Sequence, residues 1–315
     1  MKRTPRTKAL QPRRPPLRAP WLIRHEGALQ VLESPAFSRR DWLVHGFSTR
    51  PGGSSVLEST IKGKAKAETV LNLGFTDWDK SERVEENRQG FFRAIGAEKM
   101  RVVTLQQIHS DIIHPIHSAP PQNVLKGDAL ITNERGVLLT IQTADCIPIL
   151  LADTKHRAIA AIHAGWRGTL RRIASKTLGR MQMAFGTRPK DVIAALGPGI
   201  GRCCYEVGEE VVKDFAAQFP EARLWFDGPF DALALGENDP NWLPWLTMKP
   251  PGHAPPPLRV NLDLVAANRA ILAIAGVPMK NIFASGQCTA CHTDVFFSYR
   301  RERVTGRMMA AIGIL

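Results

Sequence analysis

Apolar positions along this chain fall mostly in short runs bounded by Gly, Pro and polar clusters, which is the patterning of strands. Runs of this kind occupy residues 42–49, 102–109, 136–143, 146–151, 158–163, 191–196 and 281–284, with a last one at the C-terminus, MMAAIGIL. A turn at 126–128 leads into another at 129–132, and 21–49 reads as strands or a hairpin before a turn at 50–53. Residues 56–80 read as polar and irregular. Helical spacing appears in four places. One helix is predicted from Ser81, as its cap, to Gly96, with Val84, Phe91, Phe92 and Ile95 on its apolar side. A second follows Gly168 and stops at Gly186, with Leu170, Ile173, Leu178, Met181 and Phe185 at near-helical intervals. The others cover 209–219 and 261–275, the latter closed by Gly276.

The rest of the chain is organised around residues 141–168, IQTADCIPILLADTKHRAIAAIHAGWRG. Two apolar runs flank Asp153-Thr154-Lys155-His156, which predicts a hairpin. Folding it about the middle of that turn sets Cys146 directly opposite His163. Facing residues of an antiparallel pair hold their Cβ atoms about 4.5–5.5 Å apart. A thiolate and an imidazole there can share a metal, at bond lengths of about 2.0–2.3 Å, or form a Cys–His catalytic pair. A buried small Cys and a satisfied His at a strand end is the other reading of the same residues. Pro148 cannot donate to a sheet ladder, so it marks an edge, a bulge or a strand start. His163 runs at once into Ala-Gly-Trp-Arg-Gly, a strand-to-helix turn.

Composition narrows the setting. The 315 residues suffice for one large domain or two small ones, and no apolar run is long enough to cross a bilayer. The net charge of +13 is uneven: residues 1–20 hold seven Lys/Arg, five Pro and no acid. That stretch is expected to be a disordered basic tail, so the charge is weak support for nucleic-acid binding. It has no apolar segment of the secretory kind. An odd count of five Cys, with Cys203 and Cys204 adjacent, points to reduced thiols in a cytoplasm. Residues 228–258 hold eight Pro, with Trp242 and Trp245, and read as a surface excursion.

Other candidates carry less. His45 reads as a packed or hydrogen-bonded histidine, and His114 and His117 as loop residues. Arg167 and the helix start beside Gly165 and Gly168 form a candidate anion cradle. Four glycines within 197–208 imply close backbone approach, to a ligand or to another strand. Cys288-Thr289-Ala290-Cys291-His292 matches a haem-attachment pattern. That reading needs an exported chain, and a zinc site needs a second C-x-x-C, so Cys288 and Cys291 are expected to be buried free thiols. Arg300, Arg301 and Arg307 bind anions or solvate a strand exit.

What remains is a three-ligand set: His109, expected at a strand end, with Cys146 and His163. Three protein ligands leave a fourth position open, as in catalytic zinc sites, where bound water has a pKa near 7. The rival is a Cys146 thiolate with His163 as its base. The residues that carry a family likeness are His45-Gly-Phe-Ser-Thr-Arg-Pro-Gly-Gly53, Gln107-Ile108-His109-Ser110, Gly127-Asp128-Ala129, Thr143-Ala-Asp-Cys-Ile-Pro148 and His163-Ala-Gly-Trp-Arg-Gly168. With them go Gly197-Pro-Gly-Ile-Gly201, Cys204-Tyr-Glu-Val-Gly208, Phe296-Phe-Ser-Tyr-Arg-Arg301 and Thr305-Gly306-Arg307. In that order they resemble the polyphenol oxidase (laccase)-type domain family, whose bacterial members are described as purine nucleoside phosphorylases and as the peptidoglycan editing factor.

The resemblance implies a single α/β domain over 21–315 with a central mixed sheet flanked by helices. It implies a metal site, usually taken as zinc, on His109, Cys146 and His163. It implies phosphorolysis of adenosine, inosine and 5′-methylthioadenosine, with adenosine deamination at the same site. Arg167, and less directly Arg300, are the phosphate candidates on chemical grounds. The expected partners are purine nucleosides and phosphate, with no nucleic acid or membrane, in a monomer or small homo-oligomer. The alternatives are a hydrolase removing L-serine from a cell-wall precursor with Cys146 as nucleophile, a copper-dependent polyphenol oxidase, and a metal-stabilised binding module.

Overall fold

The structure, a computed structural model, describes residues 21–61, 64–117, 123–234 and 259–315. Its strands in chain order are β1 (Leu22–Glu26), β2 (Leu29–Glu33), β3 (Leu43–Ser48), β4 (Ser55–Ile61), β5 (Lys64–Val70), β6 (Arg101–Val103), β7 (Ile113–Pro115), β8 (Ala129–Thr132), β9 (Val137–Thr143), β10 (Ile147–Asp153), β11 (Ala158–Ala164), β12 (Val192–Leu196), β13 (Glu206–Val207), β14 (Phe226–Asp227), β15 (Val260–Leu262), β16 (Ile282–Ala284) and β17 (Met308–Ile314). The helices are α1 (Pro35–Ser38), α2 (Ser81–Ala94), α3 (Trp166–Leu170), α4 (Ile173–Phe185), α5 (Glu209–Gln218), α6 (Phe230–Ala234), α7 (Leu264–Ile274) and α8 (Tyr299–Glu302).

The α/β class and mixed strand pairing implied by the resemblance are present, with the sheet layer doubled. One six-stranded sheet has the order β1-β2-β3-β17-β9-β6 and the other β16-β12-β10-β11-β8-β7. Each combines antiparallel ladders with parallel pairs, β6 on β9 in the first and β12 on β16 and β7 on β8 in the second.

Period-two burial explains why the central runs are apolar throughout. Leu150, Ala152, Ile159 and Ala161 meet Leu139, Ile141, Ala310 and Ile312 in the core between the sheets. Their chain neighbours Ile149, Leu151, Ala160 and Ile162 pack on Leu178 and Met181 of α4, Phe215 of α5 and Ile271 of α7. Beyond the first sheet, Val31, Leu138, Met309 and Ala311 pack on Phe91, Ala94 and Ile95 of α2 and its end. The layers therefore run helix, sheet, sheet, helices.

Several expectations are corrected. Residues 56–80 contain the β4–β5 ribbon, a two-stranded sheet of its own. Its Ala and Lys alternation is poor strand material, which hides it from patterning. Ser81 is the first residue of α2 rather than its cap; Lys80 holds the cap position without a side-chain bond. The helix after Gly168 is broken into α3 and α4 by left-handed Arg172 (φ 59°), whose guanidinium donates to Gln218 O at 2.8 Å and stacks on Phe219. Residues 260–262 are strand, and α7 begins after Asp263, whose carboxylate accepts the Ala266 amide at 2.8 Å. His114 belongs to β7 instead of a loop. The basic tail of 1–20 and most of the Pro/Trp-rich excursion, 235–258, lie outside the described residues.

Candidate metal centre and active site

The hairpin of β10 and β11 forms as expected, but its register is shifted. Pro148 pairs with His163 and Ile147 with Ala164, so Cys146, one residue before β10, faces Gly165. The hairpin folds one residue further along the chain than the middle of Asp153-Thr154-Lys155-His156. A displacement of two keeps every side chain on its own face, so Cys146 and His163 remain diagonal neighbours on one side. Pro148 sits at a strand start, one of the three options open to it.

Gly165 is what lets the sulfur in. A Cβ at this position would lie 2.9 Å from Cys146 Sγ and 3.3 Å from His109 Cδ2. The backbone there (φ −77°) suits any residue, so the requirement is for space alone.

His109 is in a loop rather than at the end of a strand, because β6 stops at Val103. Its φ is +56°, a left-handed conformation uncommon for a side-chain-bearing residue. The loop is held by Gln107, whose amide accepts from Gln142 N and donates to Gln142 O, both at 2.7 Å. It is also held by Asp128, fully buried just before β8. The Asp128 carboxylate accepts the amides of His109 (3.1 Å) and Ser110 (2.5 Å) and the Ser110 hydroxyl (2.7 Å). The same carboxylate contacts His163 Nδ1 at 2.8 Å. That bond fixes the ring and leaves Nε2 free as a ligand atom.

Donor atoms of His109, Cys146 and His163 all lie within 4.8 Å of one another. Cys146 Sγ is 3.9 Å from His109 Nε2, and the two imidazoles meet edge to face at 4.9 Å. Burial works against a charged Cys146, but His163 and then His109 outweigh it and bring the thiol down to about 6. Burial likewise opposes a charged His163, and Cys146 and Asp128 raise it to about 9. Asp128 drops to about 2 against its own burial, through His163 and Ser110. One thiolate and two imidazoles gathered this closely, with a carboxylate behind one of them, suit a borderline-soft divalent cation.

Asp145, next to Cys146, has φ +96°. Its carboxylate accepts from Thr289 Oγ1 at 2.6 Å and from the Arg300 amide at 2.7 Å, while its carbonyl accepts from Ile200 N at 2.7 Å. Three distant segments thus clamp the turn that presents the thiol.

Arg167 is exposed and stacks over Trp166 at 4.3 Å. Arg300 donates to Glu206 O at 2.7 Å, lies over the Tyr205 ring, and lines an open cavity of about 910 Å³ with Cys203, Cys204 and Arg259. None of the three ligand candidates lines that cavity. Burial first, then the charges of Cys146 and Asp145, push the Tyr205 phenol up, with Arg300 and Arg167 opposing. The glycines of 197–208 approach the chain itself: a Cβ on Gly197 would strike Phe47, and one on Gly199 would strike Ile147. His45 is the packed histidine expected, accepting the Ser34 amide at 2.9 Å and meeting Phe37 edge-on.

Asp128, Asp145 and Thr289 carry no signal that residue type alone reveals, and Gly165 is marked in the sequence as an anion cradle rather than as space for the Cys146 sulfur. Each belongs to a quoted motif or lies beside a candidate, but only the fold reveals their bonds. Cys288 is buried as expected, but Cys291 is exposed.

Residues 44–315 match the family described as multi-copper polyphenol oxidoreductase laccase. The chain is 39% identical to a purine nucleoside phosphorylase of Deinococcus radiodurans, covering 91% of this chain and 93% of that protein. It is 32% identical to adenosine deaminase RL5 of an unknown prokaryote, covering 89% and 98%. Among solved structures it resembles YlmD from Geobacillus stearothermophilus, with a TM-score of 0.72, 30% identity and coverage of 94% and 99%.

Proposed function

Because the chain belongs to the multi-copper polyphenol oxidoreductase laccase family, we propose that it is a zinc-dependent purine nucleoside phosphorylase that also deaminates adenosine. Residues 21–315 are taken as one catalytic unit. The observation that carries the reading is the convergence of His109, Cys146 and His163 within 4.8 Å, joined to the names of the relatives. Zinc held by His109, Cys146 and His163 would supply Lewis acidity at neutral pH.

The chain's own residues do the rest. Asp128 holds His163 in the tautomer that offers Nε2, and it sets the His109 loop by its backbone amides. Asp145 fixes the turn of Cys146. Arg167 is assigned to orient phosphate for attack on the sugar carbon as the purine leaves. Arg300 is the weaker candidate, because its guanidinium is already engaged by Glu206 O. Adenosine, inosine and 5′-methylthioadenosine are the proposed substrates. Zinc is preferred to copper, which can also take one Cys and two His. The oxidase reading ranks last, since it requires oxygen chemistry with a fuller copper ligand set.

A second reading has a specific observation behind it. Cys146, His163 and Asp128 also form a thiolate, imidazole and carboxylate array of the kind used in acyl transfer. That array fits a hydrolase acting on a serine-containing cell-wall precursor. Product analysis with adenosine, with and without phosphate, separates the two. Phosphate-dependent release of adenine and ribose 1-phosphate, lost on chelation and in Cys146→Ala, supports the phosphorylase. Turnover of the precursor that survives chelation supports the hydrolase and defeats the first reading.

A further inference from the structure

The four remaining cysteines, of which Cys288 and Cys291 are expected to be no more than buried free thiols, come together. Cys203 and Cys204 lie on the turn after β12, and Cys288 and Cys291 on the segment after β16. Their sulfurs all lie within 4.8 Å of one another. Cys203 Sγ is 3.4 Å and Cys204 Sγ 3.5 Å from Cys291 Sγ. These gaps are far beyond the roughly 2.05 Å of a disulfide, and all four thiols are free. They are close to the edge of a tetrahedron, about 3.8 Å, whose centre lies about 2.3 Å from each sulfur, the zinc–thiolate distance.

The backbone is shaped for the same purpose. Each pair closes a turn: the Cys204 amide donates to Gly201 O at 2.9 Å and the Cys291 amide to Cys288 O at 3.2 Å. The Gly201 amide donates to Cys288 Sγ at 3.1 Å, and Arg301 Nη2 to Cys204 Sγ at 3.4 Å. Both bonds favour sulfur as thiolate. A Cβ on Gly201 would stand 3.1 Å from Cys288 Cβ and 3.3 Å from Cys203 Sγ, so glycine permits the approach.

We propose that Cys203, Cys204, Cys288 and Cys291 form a second, structural zinc site, closed by four sulfurs and separate from His109, Cys146 and His163. The adjacent pair 203–204 supplies what a single C-x-x-C lacks. Thr289, inside the C-x-x-C turn, donates to Asp145 beside Cys146. The cluster therefore ties two segments together directly behind the turn that carries the catalytic-site thiol. No ligand position is left open there for chemistry.

The test measures zinc in the full chain purified under reducing, zinc-replete conditions and passed through a chelator-free desalting column. Wild type is expected to retain two zinc ions, and Cys203→Ser/Cys291→Ser one. A His109→Ala/Cys146→Ala/His163→Ala variant should also keep one, with an X-ray absorption shell of four sulfurs at about 2.3 Å. Wild type titrated with cobalt(II) needs no variant, and should develop the absorption of a tetrathiolate centre. One zinc in wild type, unchanged by the cysteine substitutions, would overturn the proposal. So would a Cys203–Cys291 disulfide in the reduced preparation, or a shell containing nitrogen in the triad-free variant.

Discussion

Asp128 meets Nδ1 of His163 at 2.8 Å while its carboxylate also takes the backbone amides of His109 and Ser110. One buried side chain thus orients one proposed ligand through its ring and another through its main chain. Asp128→Asn keeps the shape but can neither balance a charged His163 nor accept on both sides. Metal affinity is expected to fall about 10–100-fold, with far-UV circular dichroism unchanged. A competition titration with a chromophoric chelator checks it, and unaltered affinity would remove Asp128 from the site.

Gly165→Ala tests the space beside Cys146. Its Cβ would stand 2.9 Å from Sγ in a backbone conformation that alanine accepts. The variant should fold, lose about 1–3 kcal/mol in urea unfolding from overpacking, and bind zinc at the triad much more weakly. Zinc retained at the triad with wild-type affinity would show that the sulfur can move aside.

Arg167→Ala addresses phosphate. The side chain is exposed and stacked on Trp166, so its loss should leave stability within about 0.5 kcal/mol. KM for phosphate should rise at least tenfold, an effect of about 1.4 kcal/mol, with little change in KM for nucleoside. An unchanged dependence of the rate on phosphate would assign that role elsewhere.

Thr289→Val removes the hydroxyl that reaches Asp145 at 2.6 Å. The carboxylate keeps the Arg300 amide but loses a buried donor, a cost of about 1–3 kcal/mol. Activity should fall alongside stability, because Asp145 sets the turn of Cys146. Chemical denaturation paired with the rate of adenosine turnover reads both.

His45 gives a pH dependence of its own. Burial, aided by Arg24, lowers it from 6.5 to about 3. Below pH 6.5 the unfolded chain gains a proton that folded His45 refuses. Its contribution is therefore full above pH 6.5 and is lost as pH falls toward 3, at up to about 1.4 kcal/mol per pH unit. Urea midpoints between pH 7 and 5 should fall more steeply in wild type than in His45→Gln. Parallel slopes would mean that His45 ionises in the folded state.

Much of this was legible in the sequence wherever burial is two-sided. The runs of β10, β11 and β12 are apolar at every position because two cores claim alternate residues, and their patterning survives any error of register. That is why Cys146 and His163 could be assigned to one face although their pairing was displaced by two. Legibility failed where structure rests on one long-range bond. The break at Arg172 depends on Gln218 and Phe219, and the role of Asp128 depends on strands 30 residues away in sequence meeting side by side. The cysteine cluster is hidden for the same reason: 203–204 and 288–291 meet through long-range pairing of their segments, the Gly199–Cys288 bridge and the Thr289 amide on Gly199 O among its bonds.

The two-sided burial of the central hairpin has a consequence for how damage travels. Ile159 belongs to the core between the sheets and Ile162 to the core under the helices, yet both lie on the strand that carries His163. A loosening in either core is transmitted to the same imidazole. Zinc occupancy at the proposed site would then serve as a gauge of the whole scaffold's integrity, falling for lesions in either layer.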